Sequence, residues 1–230
     1  TPLPLGFALL KDDGAVDLYM DRRKLTPAAR SHLGNHVRLR EPGELSTGLD
    51  ELAGKRVLAD PRWAPSWVFQ RLDKAKAEVV RAADPCQLAK ACKNPAEIAG
   101  TKVAHVRDGA AVTKFLAWLA TTAPKGGLTE IAASDQLENF RRGGERFRDL
   151  SFDSISGAGP NGAIVHYKAS EDTDRPIKKG ELYLIDSGAQ YLDGTTDITR
   201  TIAIGGTPSA EERDRFTRVL KGHIALAQAR

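Results

Sequence analysis

A chain of 230 residues, 41% hydrophobic and 28% charged, has the make-up of an ordinary globular protein with room for one large domain or two small ones. Its net charge of +4 is dispersed and forms no basic block, which argues against a nucleic-acid-binding stripe. No apolar run reaches the ~18 residues of a membrane span, no signal-peptide pattern opens the chain, and two cysteines make neither a disulfide framework nor a zinc pattern.

Cys86 and Cys92 read as structural, reduced thiols of a cytoplasmic protein. The chain opens on Thr1-Pro-Leu-Pro without Met and closes inside a helical pattern at Arg230. Both ends read as cuts within a longer protein.

Short strands and helices alternate first. Gly6 to Leu10 and Asp17 to Asp21 predict strands joined by a Lys-Asp-Asp-Gly turn. Thr26-Pro27 opens a helix, with Thr as N-cap and Pro at the first helical position. His36 to Leu39, Arg56 to Leu58 and Glu78 to Val80 read as strands, and Gly43 to Leu52 and Ala64 to Leu72 as helices. Such alternation predicts an α/β module over 1–84 that lacks its opening elements. Asp84-Pro85 breaks the pattern, and a connector follows over 85–93.

The second domain begins at 94. Asn94-Pro95-Ala96-Glu97 is a capping-box start for a helix running to Leu119 or Ala120. Its apolar face is Ile98, Val103, Val106, Val112, Phe115, Leu116 and Leu119. Thr129 caps a second helix with Ile131, Leu137 and Phe140 inward. Ser154 to Gly157 and Ala163 to Tyr167 read as strands flanking a Gly-rich loop. Ser209-Ala-Glu-Glu212 opens a terminal helix with Phe216, Val219, Leu220, Ile224 and Leu226 on one face. Trp63, Trp67 and Trp118 read as core or interface aromatics.

Two aspartates carry the chemistry. Asp186 ends the apolar run Leu182 to Ile185, and Asp197 lies on a returning β-branched run. Asp is depleted in strands because its carboxylate is costly to bury. The charge needs a cation, either Arg200 in a salt bridge or a metal ion. Register decides whether the two can share a site. A turn centred on Asp193-Gly194 would leave them roughly 13 Å apart. For them to meet, the centre must move towards Tyr191-Leu192, by a wider turn or a bulge. His166, read inside a strand, is either a satisfied structural histidine or an acid–base and substrate-binding group. His223 reads as a packed or capping residue of the terminal helix.

The segment Asp-Ser-Gly-Ala-Gln-Tyr-Leu-Asp-Gly-Thr-Thr-Asp-Ile-Thr-Arg-Thr (186–201) resembles the first metal-binding motif of the Xaa-Pro aminopeptidase (aminopeptidase P) family, in its long three-domain form. Supporting segments are Lys93-Asn-Pro-Ala-Glu97, Pro124-Lys-Gly-Gly-Leu-Thr-Glu130, Asp149-Leu-Ser-Phe-Asp153, Gly159-Pro-Asn-Gly-Ala-Ile-Val-His166-Tyr167 and Val219-Leu-Lys-Gly-His-Ile224.

The resemblance implies a creatinase-type α/β middle domain followed by the first half, 94–230, of an α+β pita-bread metallopeptidase domain. It implies two divalent metal ions, Mn2+ first with Co2+, Zn2+ or Mg2+ as options. Asp186 would chelate one ion, Asp197 would bridge both, and His166 would contact the substrate and shuttle protons. The implied reaction releases the N-terminal residue from peptides with proline second, by attack of a metal-activated hydroxide on the scissile carbonyl. Partners are then proline-containing peptides and a second copy in a homodimer, with no nucleic acid or membrane. One His and two Glu ligands would lie outside this chain. A prolidase-like dipeptidase and an inactive pita-bread binding module are the alternatives.

Overall fold

The structure, a computed structural model, describes residues 4–229, which fall into two units that meet in sequence at Lys93 and Asn94. In the first unit, β1 (Gly6–Leu10) and β2 (Val16–Met20) form a hairpin, and α1 (Pro27–Leu33) returns the chain so that β3 (Val37–Arg40) runs parallel to β2. Thr26 starts α1 as expected, its hydroxyl accepting from Ala29 N at 3.2 Å. β4 (Arg56–Ala59) and β5 (Glu78–Arg81) pair in parallel. With α2 (Leu45–Asp50) and α3 (Ser66–Lys74), they close a core on Tyr19, Leu45, Leu49 and Leu72. α4 (Cys86–Ala91) follows. Cys86 and Cys92 are free and exposed, so neither is a buried structural thiol. Trp63 and Trp67 are exposed rather than core residues, whereas Trp118 packs on the core of the second unit.

The second unit opens with α5 (Pro95–Thr122), capped reciprocally by Asn94 and Glu97. Its buried stripe is Ala104, Asp108, Ala111, Val112, Phe115 and Leu119. That corrects the first half of the expected face, where Ile98, Val103 and Val106 are 45%, 53% and 76% exposed, and bears out the second half, where Val112, Phe115 and Leu119 are buried. Small residues face inward because backbone comes close there: a Cβ on Gly100 would sit 2.4 Å from the Asp193 carbonyl oxygen.

α6 (Glu130–Arg142) starts on Thr129, whose hydroxyl accepts from Ala132 N at 3.3 Å. Then come β6 (Phe147–Leu150), not foreseen, β7 (Ile155–Ala158), β8 (Leu182–Ser187), β9 (Ala189–Tyr191) and β10 (Ile198–Ala203). β10, β8 and β7 form an antiparallel sheet in that order, and β6 pairs with β9. Tyr183, Ile185 and Ser187 of β8 are buried, while Leu182, Leu184 and Asp186 on the other face are half-exposed, the period-two pattern of a one-sided sheet. The buried side meets Phe115, Leu119, Leu137 and Ile177. Burying each such side chain stabilises the fold by about 1.5–3 kcal/mol. α7 (Ala210–Gln228) is capped by Ser209 and Glu212 as read from sequence. Its apolar residues Phe216, Val219, Leu220, Ile224 and Leu226 are all exposed, and so is His223.

Candidate metal site

The two aspartates stand on one hairpin. Asp186 pairs with Thr199 and Ser187 with Ile198. Gln190 bridges to Thr195, and Tyr191 N donates to Gly194 O at 2.8 Å. One register therefore holds throughout, and the turn residues are Leu192 and Asp193. Asp197 falls opposite Gly188, two residues from Thr199 and on the same face. Asp186 and Asp197 are thus diagonal cross-strand neighbours, with Cα atoms about 7–8 Å apart. The expected wide turn or bulge near Tyr191-Leu192 is absent. A tight turn one residue before the Asp-Gly pair suffices. Diagonal carboxylates suit a centre whose two ions lie about 3.5–4 Å apart.

Gly188 makes this geometry possible. Ser151 N donates to Gly188 O at 3.1 Å and its hydroxyl to Thr196 O at 2.9 Å. A Cβ on Gly188 would lie 2.1 Å from both that hydroxyl and that carbonyl oxygen. Gly188→Ala is expected to cost about 1–3 kcal/mol by overpacking and to lower metal affinity, read by urea unfolding and metal titration. A variant with wild-type values in both would show that the backbone yields freely here.

The hairpin carries three aspartates with different surroundings. Asp193 is neutralised: Arg107 pairs with it bidentately at 3.0 and 3.1 Å, and Arg146 adds a bond at 3.0 Å. The hydrogen bonds from Arg107 hold the Asp193 carboxyl below the usual carboxylate range. Asp197 is exposed and has no hydrogen bond or ion pair among the described residues. Oδ1 of Asp186 is buried and has no hydrogen-bond partner among the described residues. Arg200 does not fill the role considered for it, since its guanidinium donates to Thr199 O at 2.7 Å. A buried carboxylate oxygen without a hydrogen bond costs more than about 1–3 kcal/mol, so the residues fit a cation as its partner. Carboxylate oxygens suit Mg, Ca or Mn and also take Zn. No group of three or more His, Cys, Asp or Glu that could hold a metal forms among the described residues.

His166 does not lie in a strand. A 3-10 turn over Gly159–Ala163 precedes it, and Tyr167 N donates to Ile164 O at 3.2 Å, placing His166 in an exposed turn with φ +54°. β-branched Ile164 and Val165 suggested a strand, but both are exposed, at 53% and 83%. Gly157 and Gly162 set the turn against the sheet. A Cβ on Gly162 would be 3.4 Å from Leu184 Cβ, on the Asp186 face, and one on Gly157 would be 2.8 Å from Gly162. No hydrogen bond joins His166 to either aspartate.

The sequence profile of metallopeptidase family M24 matches residues 99–230, more than half of the chain. The chain belongs to metallopeptidase family M24. The profile of the creatinase/prolidase N-terminal domain matches residues 1–97. Over 241 residues the chain is 40% identical to "Probable Xaa-Pro aminopeptidase P" of Aspergillus clavatus, covering 99% of this chain and 36% of that protein. It is 38% identical over 293 residues to "Aminopeptidase P1" of Lotus japonicus, covering 99% and 44%. The crystal structure of X-prolyl aminopeptidase from Caenorhabditis elegans, a cytosolic enzyme with a di-nuclear active site, matches with a TM-score of 0.85 at 30% identity. That match covers 99% of this chain and 38% of the nematode chain. The chain thus spans less than half the length of these relatives.

Two buried clusters of this M24 chain consist of residues to which the sequence reading gave no role in the site. Asp108 accepts from Arg141 Nε and Nη2 at 2.8 and 3.1 Å, from Tyr191 OH at 2.9 Å and from Thr196 Oγ1 at 2.8 Å. Burial first, and the Asp108 charge second, push the Tyr191 phenol up. Thr196 is the residue before Asp197, so this cluster fixes the strand that presents it. The second cluster centres on Glu130. A signal for the first existed: Ala104, Asp108, Ala111 and Phe115 follow helical spacing once small and charged residues are counted with large apolar ones.

Proposed function

We propose that these residues are the aspartate-bearing part of a metal-dependent aminopeptidase that releases the N-terminal residue from peptides with proline second. The observation that carries this is the contrast on the hairpin. Asp193 has two arginines, whereas Asp186 and Asp197 share a face and pair with no Lys, Arg or His among the described residues. Membership of family M24 and relatives named as Xaa-Pro aminopeptidases support the same reading.

Asp186 would chelate one divalent ion and Asp197 would bridge two, Mn2+ being the first choice. Bound ions would activate a water and offset charge on the carbonyl oxygen. A His and two Glu from outside residues 1–230 would complete the ligand set. His166 projects from an exposed turn whose backbone is held against the sheet, so it would hydrogen-bond the peptide and move a proton as the bond to the prolyl nitrogen breaks. A cytoplasmic location and a homodimer complete the proposal; no helix among the described residues is long and apolar enough to cross a membrane.

The test uses the full-length parent. Chelator treatment should abolish release of the first residue from an Xaa-Pro-Xaa peptide, and Mn2+ should restore it. Hydrolysis that survives chelation, or that accepts only free Xaa-Pro dipeptides, would defeat the proposal.

A further inference from the structure

We infer that Glu130 is a positioning residue that sets the conformation of the His166 turn, acting through Tyr167 and Asn161. This rests on the reading of His166 as the group that meets the substrate.

Glu130 is fully buried, yet among the described residues no Lys, Arg or His side chain pairs with its carboxylate. Five hydrogen bonds from four donor groups satisfy it instead. Oε1 accepts from Ala158 N at 2.7 Å and Asn161 Nδ2 at 3.0 Å. Oε2 accepts from Tyr167 OH at 2.8 Å, and from Asn161 Nδ2 and Arg175 N at 3.2 Å each. Every donor comes from residues 158–175, the stretch that brackets His166. Backbone bonds close the far end of the stretch on the same place: Glu130 N donates to Arg175 O at 3.0 Å and Ile177 N to Leu128 O at 2.8 Å.

Between these anchors the turn is tied besides by the exposed ion pair of Lys168 with Asp153. Ala163, Ile164, Val165, His166 and Lys168 are exposed, and Tyr167 alone is buried. A non-glycine residue at φ +54° persists only where the surroundings over-determine it. Tyr167, the next residue, supplies that constraint by sending its ring inward to the carboxylate. Asn161 binds both Glu130 and the Tyr167 oxygen, the latter at 2.9 Å, and so ties the 3-10 turn to the same hub. A neutral side chain of the same shape cannot replace the carboxylate, because an amide puts a donor where two donors already point.

Two variants of the full-length parent test this. Glu130→Gln breaks the hub, and Tyr167→Phe removes the hydroxyl's bonds to Glu130, Asn161 and Thr173 O without changing the packed shape of the ring. Each is expected to lower kcat/KM roughly tenfold to hundredfold through misplacement of the imidazole. Neither should have this effect in a His166→Ala background, which is the coupling of a double-mutant cycle. An independent readout is the imidazole resonance of His166 in ring-labelled protein, which should shift in both variants. An unmoved resonance, or an equal loss of activity without His166, overturns the inference. Should the resonance shift while His166→Ala stays fully active, the positioning stands and the substrate role of His166 falls.

Discussion

Asp197→Ala in the full-length parent is expected to abolish Mn2+-dependent release of the first residue from an Xaa-Pro-Xaa peptide and to lower the metal content of the purified protein. A carboxylate that bridges two ions contributes to holding both. The several kcal/mol such a centre supplies at the developing charge correspond to a rate loss of about 10^3-fold or more. Asp186→Ala should fall in the same class. Asp193→Asn should not: its partners are Arg107 and Arg146, so it should weaken the hairpin tip and spare metal binding. Metal analysis by mass spectrometry beside steady-state kinetics separates these outcomes. An Asp197→Ala protein with full metal content and activity would sink the site.

The aspartates were legible in sequence because a carboxylate at the end of an apolar strand is costly without a partner. Their register was not. Asp-Gly is a strong short-range hairpin signal, yet tertiary contacts move the turn one residue back. Asp193 is drawn to Arg107, 86 positions away. Gly194 must keep its place beside α5, where a Cβ would lie 2.9 Å from that of Ala104. Neither partner is visible in a local window. The same limit explains His166. Ile164 and Val165 have strand propensity, but propensity yields to packing; two glycines and the Glu130–Tyr167 bond at 2.8 Å decide the backbone. In the first half of α5 the large apolar residues misled, because the inward face there approaches other backbone closely and takes small side chains and one paired carboxylate, whereas Phe115 and Leu119 further on are core residues as expected. By contrast, helix starts at Thr26, Asn94, Thr129 and Ser209 were legible, since caps are local chemistry.

The largest stability effect is expected from Arg141→Leu. Arg141 and Asp108 are 0% exposed in their side chains and meet at 2.8 Å. Removing one partner of a buried pair leaves an uncompensated charge and costs about 3–5 kcal/mol. Tyr191→Phe, which removes only the bond from its hydroxyl to Asp108 at 2.9 Å, should cost about 1.5–3 kcal/mol, the range for a bond to a charged group. Replacing both ions, as Asp108→Leu with Arg141→Leu, should recover much of the single-variant loss. Urea unfolding of the full-length parent measures all three. An Arg141→Leu midpoint at the wild-type value would mean that water reaches Asp108 and the pair is not sealed.

The double variant also separates stability from site geometry. It restores packing but takes from Thr196 its acceptor 2.8 Å away on Asp108, leaving it only Ala189 O at 3.4 Å, and takes the same carboxylate from the Tyr191 hydroxyl. The segment carrying Asp197, just ahead of β10, then loses a tether while the fold regains much of its stability. Metal affinity should therefore stay well below wild type in a protein whose unfolding midpoint has largely recovered. Recovery of both together would mean that the backbone ladder alone positions Asp197.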